Sequence, residues 1–143
     1  MLKTENNYDF RKRMSKVHGK NIRNKNLVPS DDEFAIKDGA KIVLPETAGE
    51  VLMTAAKDFA DYLFVSQNVS VKIEKGLENA KSGDVFIATA KDTGDDLGEY
   101  ASYKGQITTV SDTLKIIGHD ERGAQSGVYF AEDMMSFKKA PFF

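Results

Sequence analysis

Apolar residues recur at helical and strand spacing along most of the chain. Val51, Leu52, Ala55, Ala56, Phe59, Ala60 and Leu63 fall at steps of three and four. That is a wide apolar stripe on one side of a helix. Thr47-Ala-Gly-Glu50 before it has the form of a capping box, so the helix is expected to open there and to end near Ser66-Gln-Asn68. Val69, Val71 and Ile73 alternate with polar residues and predict a strand with one buried face, broken at Lys75-Gly76. Phe34-Ala-Ile36 and Lys41-Ile-Val-Leu44 predict two short strands, separated by a turn at Lys37-Asp-Gly39 and ended by Pro45. Asp84-Val-Phe-Ile-Ala88 is apolar on consecutive positions, as in a strand covered on both faces.

Further along, residues 91–99 read as a loop or a single helical turn. Ile107 to Val110 and Leu114 to Ile117 are strands joined by a tight Ser-Asp-Thr hairpin. A last helix is expected over about 122–137, with Ala124, Val128, Ala131 and Met135 toward a sheet. The order β, β, α, β, β, loop, β, β, α implies an α/β (α+β) fold: a mixed β-sheet with two long helices packed mainly on one face, a two-layer sandwich. The hairpin argues against an all-parallel sheet.

The leading residues differ in composition. Residues 1–25 carry Lys3, Arg11, Lys12, Arg13, Lys16, Lys20, Arg23 and Lys25 against Glu5 and Asp9. Tyr8, Phe10, Met14 and Val17 share a helical face, which predicts a short helix over 5–18. The chain therefore divides into a basic leader, 1–30, and a single α/β domain, 31–143. A basic leader can contact an acidic partner, but a solvated segment docked by a few apolar residues accounts for it more simply.

Composition narrows the chemistry. The 143 residues suffice for one domain with a core, and a net charge of −2 gives no reason to expect a nucleic-acid partner for the chain as a whole. No apolar run has membrane-spanning length, and MLKTENNYDFRKRMSK lacks the apolar stretch of a signal peptide. The compartment stays open, cytoplasmic if this N-terminus is native. With no cysteine and only His18 and His119, the sequence points to no metal site and no cofactor. Asp92-Thr-Gly-Asp-Asp96 resembles a calcium loop in composition only, since its glycine is misplaced and no closing glutamate follows. It reads better as a helix start or surface turn. The lack of tryptophan argues against an autonomous sugar-binding surface.

The stretch Gly118-His-Asp-Glu-Arg-Gly123 between a strand and a helix raises a phosphate cradle. A P-loop continues with Lys and Ser or Thr, whereas Ala124 and Gln125 stand here. Asp120 and Glu121 would repel an anion, and Arg122 offsets only one of them. A structural role fits better: Asp120 or Glu121 caps the helix start, and Gly123 and Gly127, four apart, let the helix approach the sheet. Adjacent acids in such a turn point apart, so they do not suit the paired carboxylates of glycoside hydrolysis.

Three stretches carry a family resemblance: VLMTAAKDFADYL at 51–63 after KIVLP, DVFIATA at 84–90, and TLKIIGHDERGAQSGVYFAEDMM at 113–135. Over about 34–143 the chain resembles the small non-catalytic domain that precedes the (β/α)8 barrel of β-N-acetylhexosaminidases, α-glucuronidases and related glycoside hydrolases. Gly118, Asp120, Arg122, Gly123 and Gly127 match the family's strand–turn–helix pattern, with Tyr129 slightly displaced. The resemblance implies an accessory domain excised from a longer glycoside hydrolase. It would have no catalytic residues of its own. Its partner would be the barrel of the same polypeptide, and it would meet carbohydrate only through that enzyme. Gly123 and Gly127 would be packing glycines, and Pro141, Phe142 and Phe143 would lead into the interdomain face. The alternative is a free-standing α/β protein that binds a small ligand or phosphate through the 118–127 loop.

Overall fold

The structure, a computed structural model, describes residues 18–97 and 106–143. The predicted 5–18 helix lies outside the described residues except for His18. Five strands form one sheet: β1 (Lys41–Leu44), β2 (Lys72–Lys75), β3 (Val85–Thr89), β4 (Gln106–Val110) and β5 (Leu114–Gly118). Their spatial order is β2-β1-β3-β5-β4. β2, β1, β3 and β5 run parallel, and β4 closes the edge antiparallel to β5. The hairpin predicted at Ser-Asp-Thr is this β4–β5 pair, with Val110 opposite Leu114. Two long helices, α1 (Glu50–Gln67) and α3 (Glu121–Lys138), pack on each other and on the sheet; α2 (Ala90–Thr93) is a single turn.

Alternation along the strands places the core. Ile42, Leu44, Val85, Ile87, Leu114 and Ile116 join Leu52, Phe59, Leu63, Val128 and Met135 in one buried cluster between sheet and helices. Val43, Ala88 and Ile117, on the opposite face, are buried as well. This accounts for the unbroken apolar run of β3.

The structure changes three local expectations. Phe34–Ile36 is not a strand of the sheet. Ala35 forms an isolated antiparallel bridge with Phe142, Phe34 N donates to Phe143 O at 2.7 Å, and Ile36 N donates to Pro141 O at 2.9 Å. The side chains alternate as the sequence implied, but the backbone partner is the C-terminal tail. Val69 belongs to the end of α1, not to β2. Asn68 adopts a left-handed conformation, and the amides of Asn68 and Val69 both donate to Leu63 O. Burial of Val69 is thus the apolar contact that accompanies a helix C-terminus.

The third change concerns the start of α1. Its N-cap is Gly49, with no capping side chain of its own, because Pro45 to Ala48 form a turn that leaves Thr47 two residues short of the cap. Thr47 Oγ1 instead lies 3.4 Å from Asp92 Oδ1. The capping group comes from α3. The Glu121 carboxylate accepts from Gly49 N at 2.8 Å and from Leu52 N at 3.1 Å.

Candidate functional site

The 118–123 turn comes first, since the sequence singled it out. Asp120 is the N-cap of α3, and its carboxylate accepts from Gly123 N at 2.8 Å. Glu121, one residue on, reaches the start of α1. Each acid therefore holds a helix N-terminus, where its charge also favours the positive end of the helix. Gly118 is the glycine that close approach requires: a Cβ there would overlap the backbone of Gly123 and Ala124. Gly123 and Gly127 are both buried on α3. His119 is exposed at the turn. Asp92 forms a capping box with Thr89 at the start of α2, in keeping with a helix start. At the C-terminus, Pro141 and Phe142 are buried and Phe143 packs partly on the core, all held against residues 34–36.

A different site lies between the long helices. Asp58 and Tyr62 are one turn apart on α1, and Tyr129, Glu132, Asp133 and Ser136 follow at steps of three and four on α3. The two polar stripes line a cavity of about 290 Å³ together with His18 and Gly19. The segment that brings His18 there is laid over the end of α1. Asn21 N donates to Val65 O at 3.0 Å, Ile22 N to Ser66 O at 2.9 Å, and Arg23 Nη1 to Gln67 O at 3.3 Å. These donors satisfy carbonyls that the last helical turn leaves without intrahelical partners.

In the cavity, His18 Nε2 stands 3.1 Å from Asp58 Oδ1, and the imidazole packs edge-on against the Tyr62 ring. Tyr62 Oη pairs with Ser136 Oγ at 2.8 Å and accepts from Gln67 Nε2 at 2.9 Å. Glu132 is 7% exposed, and its Oε1 is fully buried with no hydrogen-bond partner. Burial, then a side-chain hydrogen bond shared with Asp58 and the Asp58 charge, and then the charges of Asp133 and Asp61 push its pKa up to about 9. Burial, followed by Asp58 and Glu132, also raises Tyr129. The cavity thus brings one imidazole together with three acids, of which Glu132 holds its proton at neutral pH.

The sequence alone assigns no role to His18, Asp58 or Glu132. One local signal was present: Tyr129, Glu132, Asp133 and Ser136 form a polar stripe beside the apolar one of α3. Nothing local, however, pairs that stripe with α1 or with residue 18.

No family model matches the chain, and no curated protein matches it. Among solved structures, that of CpGH84D, a glycoside hydrolase family 84 protein, resembles it with a TM-score of 0.48 at 7% identity, covering 83% of this chain. The chain spans about a fifth of the length of that protein, 21%.

Proposed function

We propose that this chain is a non-catalytic accessory domain of a carbohydrate-degrading glycoside hydrolase, supporting a catalytic barrel carried by the same polypeptide. The observation that carries the reading is the role of the 118–123 turn, the stretch in which the family resemblance is densest. Its glycine admits the first turn of α3 against β5, and its two acids close two helix starts. The turn is a joint and presents no acid pair to a substrate. The pairing of residues 34–36 with 141–143 ties the chain's last residues to the body of the domain, which is compatible with a domain that continues into a barrel.

The same geometry weighs against phosphate binding in this loop. A helix N-terminus attracts an anion through its free amides, and here carboxylates already occupy both. The discriminating experiment compares the isolated chain with the longer, barrel-bearing polypeptide that this reading requires, on a panel of aryl glycosides. The expected result is turnover by the longer polypeptide, none by the isolated chain, and a lower melting temperature for the barrel when this domain is deleted. Turnover by the isolated chain that disappears in Asp120→Asn or Glu121→Gln would overturn the reading. Stabilisation by millimolar phosphate that Arg122→Ala abolishes would favour the ligand-binding alternative.

A further inference from the structure

Three side chains from distant parts of the sequence meet in the cavity between α1 and α3. One imidazole nitrogen of His18, one Asp58 carboxylate oxygen and one Glu132 carboxylate oxygen all lie within 4.8 Å of one another. We infer that His18, Asp58 and Glu132 form a binding site for a divalent transition-metal ion of the zinc class. The site is independent of the accessory-domain reading and draws on none of the residues in the 118–123 turn.

Geometry supports the site first. In tetrahedral zinc coordination with bonds of about 2.0–2.1 Å, neighbouring ligand atoms stand about 3.3 Å apart. The His18–Asp58 separation of 3.1 Å is already close to that value. Glu132, within 4.8 Å of both, would close on the pair to supply the third ligand.

A second observation is independent of that spacing. Glu132 Oε1 is a buried carboxylate oxygen without a hydrogen-bond partner. Such atoms are uncommon in folded proteins, because an unmet buried acceptor costs about 1–3 kcal/mol. A cation coordinated by this oxygen would satisfy it. The surroundings agree in sign, since Asp133 and Asp61 act on Glu132 and add negative charge around the cavity.

The donor set selects the class of ion. One imidazole and two carboxylates suit zinc and its borderline first-row neighbours, whereas calcium and magnesium favour sites built from oxygen alone. Three protein ligands leave a fourth position open toward the cavity, as in zinc sites that keep a water. The side chains of His18 and Asp58 are only 8% and 22% exposed, so the ion would be largely shielded from solvent.

The test is calorimetric titration of the tag-free full chain with zinc chloride, alongside thermal melting with and without zinc. The expected result is one ion per chain. At a free-zinc concentration about 100 times the dissociation constant, the melting temperature should rise by roughly 5–10 °C. His18→Ala and Glu132→Gln should each weaken binding at least about tenfold. Glu132→Gln preserves the side-chain shape, so its metal-free melting temperature should equal or exceed that of the wild type, and its lost zinc response then reads the ligand directly. Absence of binding, or of a melting shift, would overturn the assignment and leave the three groups as a hydrogen-bonded cluster. Zinc binding that persists unchanged in both variants would overturn it too, placing the ion elsewhere. Magnesium binding as tight as zinc and indifferent to His18→Ala would likewise contradict an imidazole-ligated site.

Discussion

The carboxylate of Glu121 accepts from the amide of Gly49 at 2.8 Å, joining two helix starts that lie 72 residues apart in the chain. The same carboxylate takes the Leu52 amide, so a single side chain meets two of the donors that open α1. Glu121→Ala should cost ~1–2 kcal/mol, the range of a lost N-cap. Glu121→Gln should cost less, because it keeps an acceptor and loses only the favourable charge at the helix end. Urea titrations of both variants check this order. Equal losses would mean that charge, not hydrogen bonding, dominates the contact.

Glycine positions around the turn offer a second test. Gly118→Ala places a Cβ on the backbone of Gly123 and Ala124, which flexible side chains cannot relieve. A loss of more than ~2 kcal/mol is expected, with β5 and α3 forced apart. Gly127 is buried on α3, so Gly127→Leu should cost ~1–3 kcal/mol through overpacking, despite leucine's better helix propensity. A more stable Leu variant in a denaturant titration would show that close packing does not explain this glycine.

Burial of Glu132 predicts a pH dependence with a definite sign. Its folded pKa, about 9, lies above the ordinary value of 4.5, so the folded state holds the proton more tightly than the unfolded chain does. The stability from this group is therefore fully present below pH ~4.5 and is lost as the pH rises toward ~9. Metal-free Glu132→Gln should be more stable than the wild type at pH 8, by ~1–3 kcal/mol, with the difference fading at pH 5. Chemical denaturation at the two pH values measures it.

The opposite sign applies to Glu33. Lys138 Nζ donates to its Oε2 at 2.7 Å, and that bond, followed by donors from Ser30, lowers the carboxyl to about 2. This contribution is present above pH ~4.5 and is lost as the pH falls toward ~2. In Lys138→Met the midpoint of denaturation should fall at pH 6, and the deficit relative to wild type should shrink as the pH drops through that window. A deficit independent of pH would assign the effect to packing of the lysine stem.

The sequence by itself determined what depends on near neighbours along the chain. The apolar stripe of 51–63 fixed α1, because a period of three to four residues can bury one side only as a helix. Alternating and continuous apolar runs marked the strands, and the Ser-Asp-Thr break between two such runs marked the β4–β5 hairpin. An acidic cap of α3 at Asp120 or Glu121 was legible because its acceptor needs to reach only an amide a few residues on, and the structure gives that role to Asp120. Together these elements implied a two-layer mixed sheet, which is the fold observed.

Only the tertiary structure decided which of several chemically equivalent partners each group takes. Thr47 and Glu50 had the residues of a capping box, yet the turn after Pro45 moved the helix start, and Glu121 arrived from another helix to cap it. Phe34–Ile36 showed strand periodicity, but periodicity specifies a buried side, not the backbone that pairs with it, and the tail at 141–143 supplied that partner. Nothing local in the sequence distinguishes Asp58 or Glu132 from other helix charges. Packing of α1 against α3, with residues 18–23 laid over the end of α1, buried Glu132, half-buried Asp58 and set His18 beside them. Desolvation depends on every chain segment that closes around a group, so the properties of Glu132 came into being only when those three segments met.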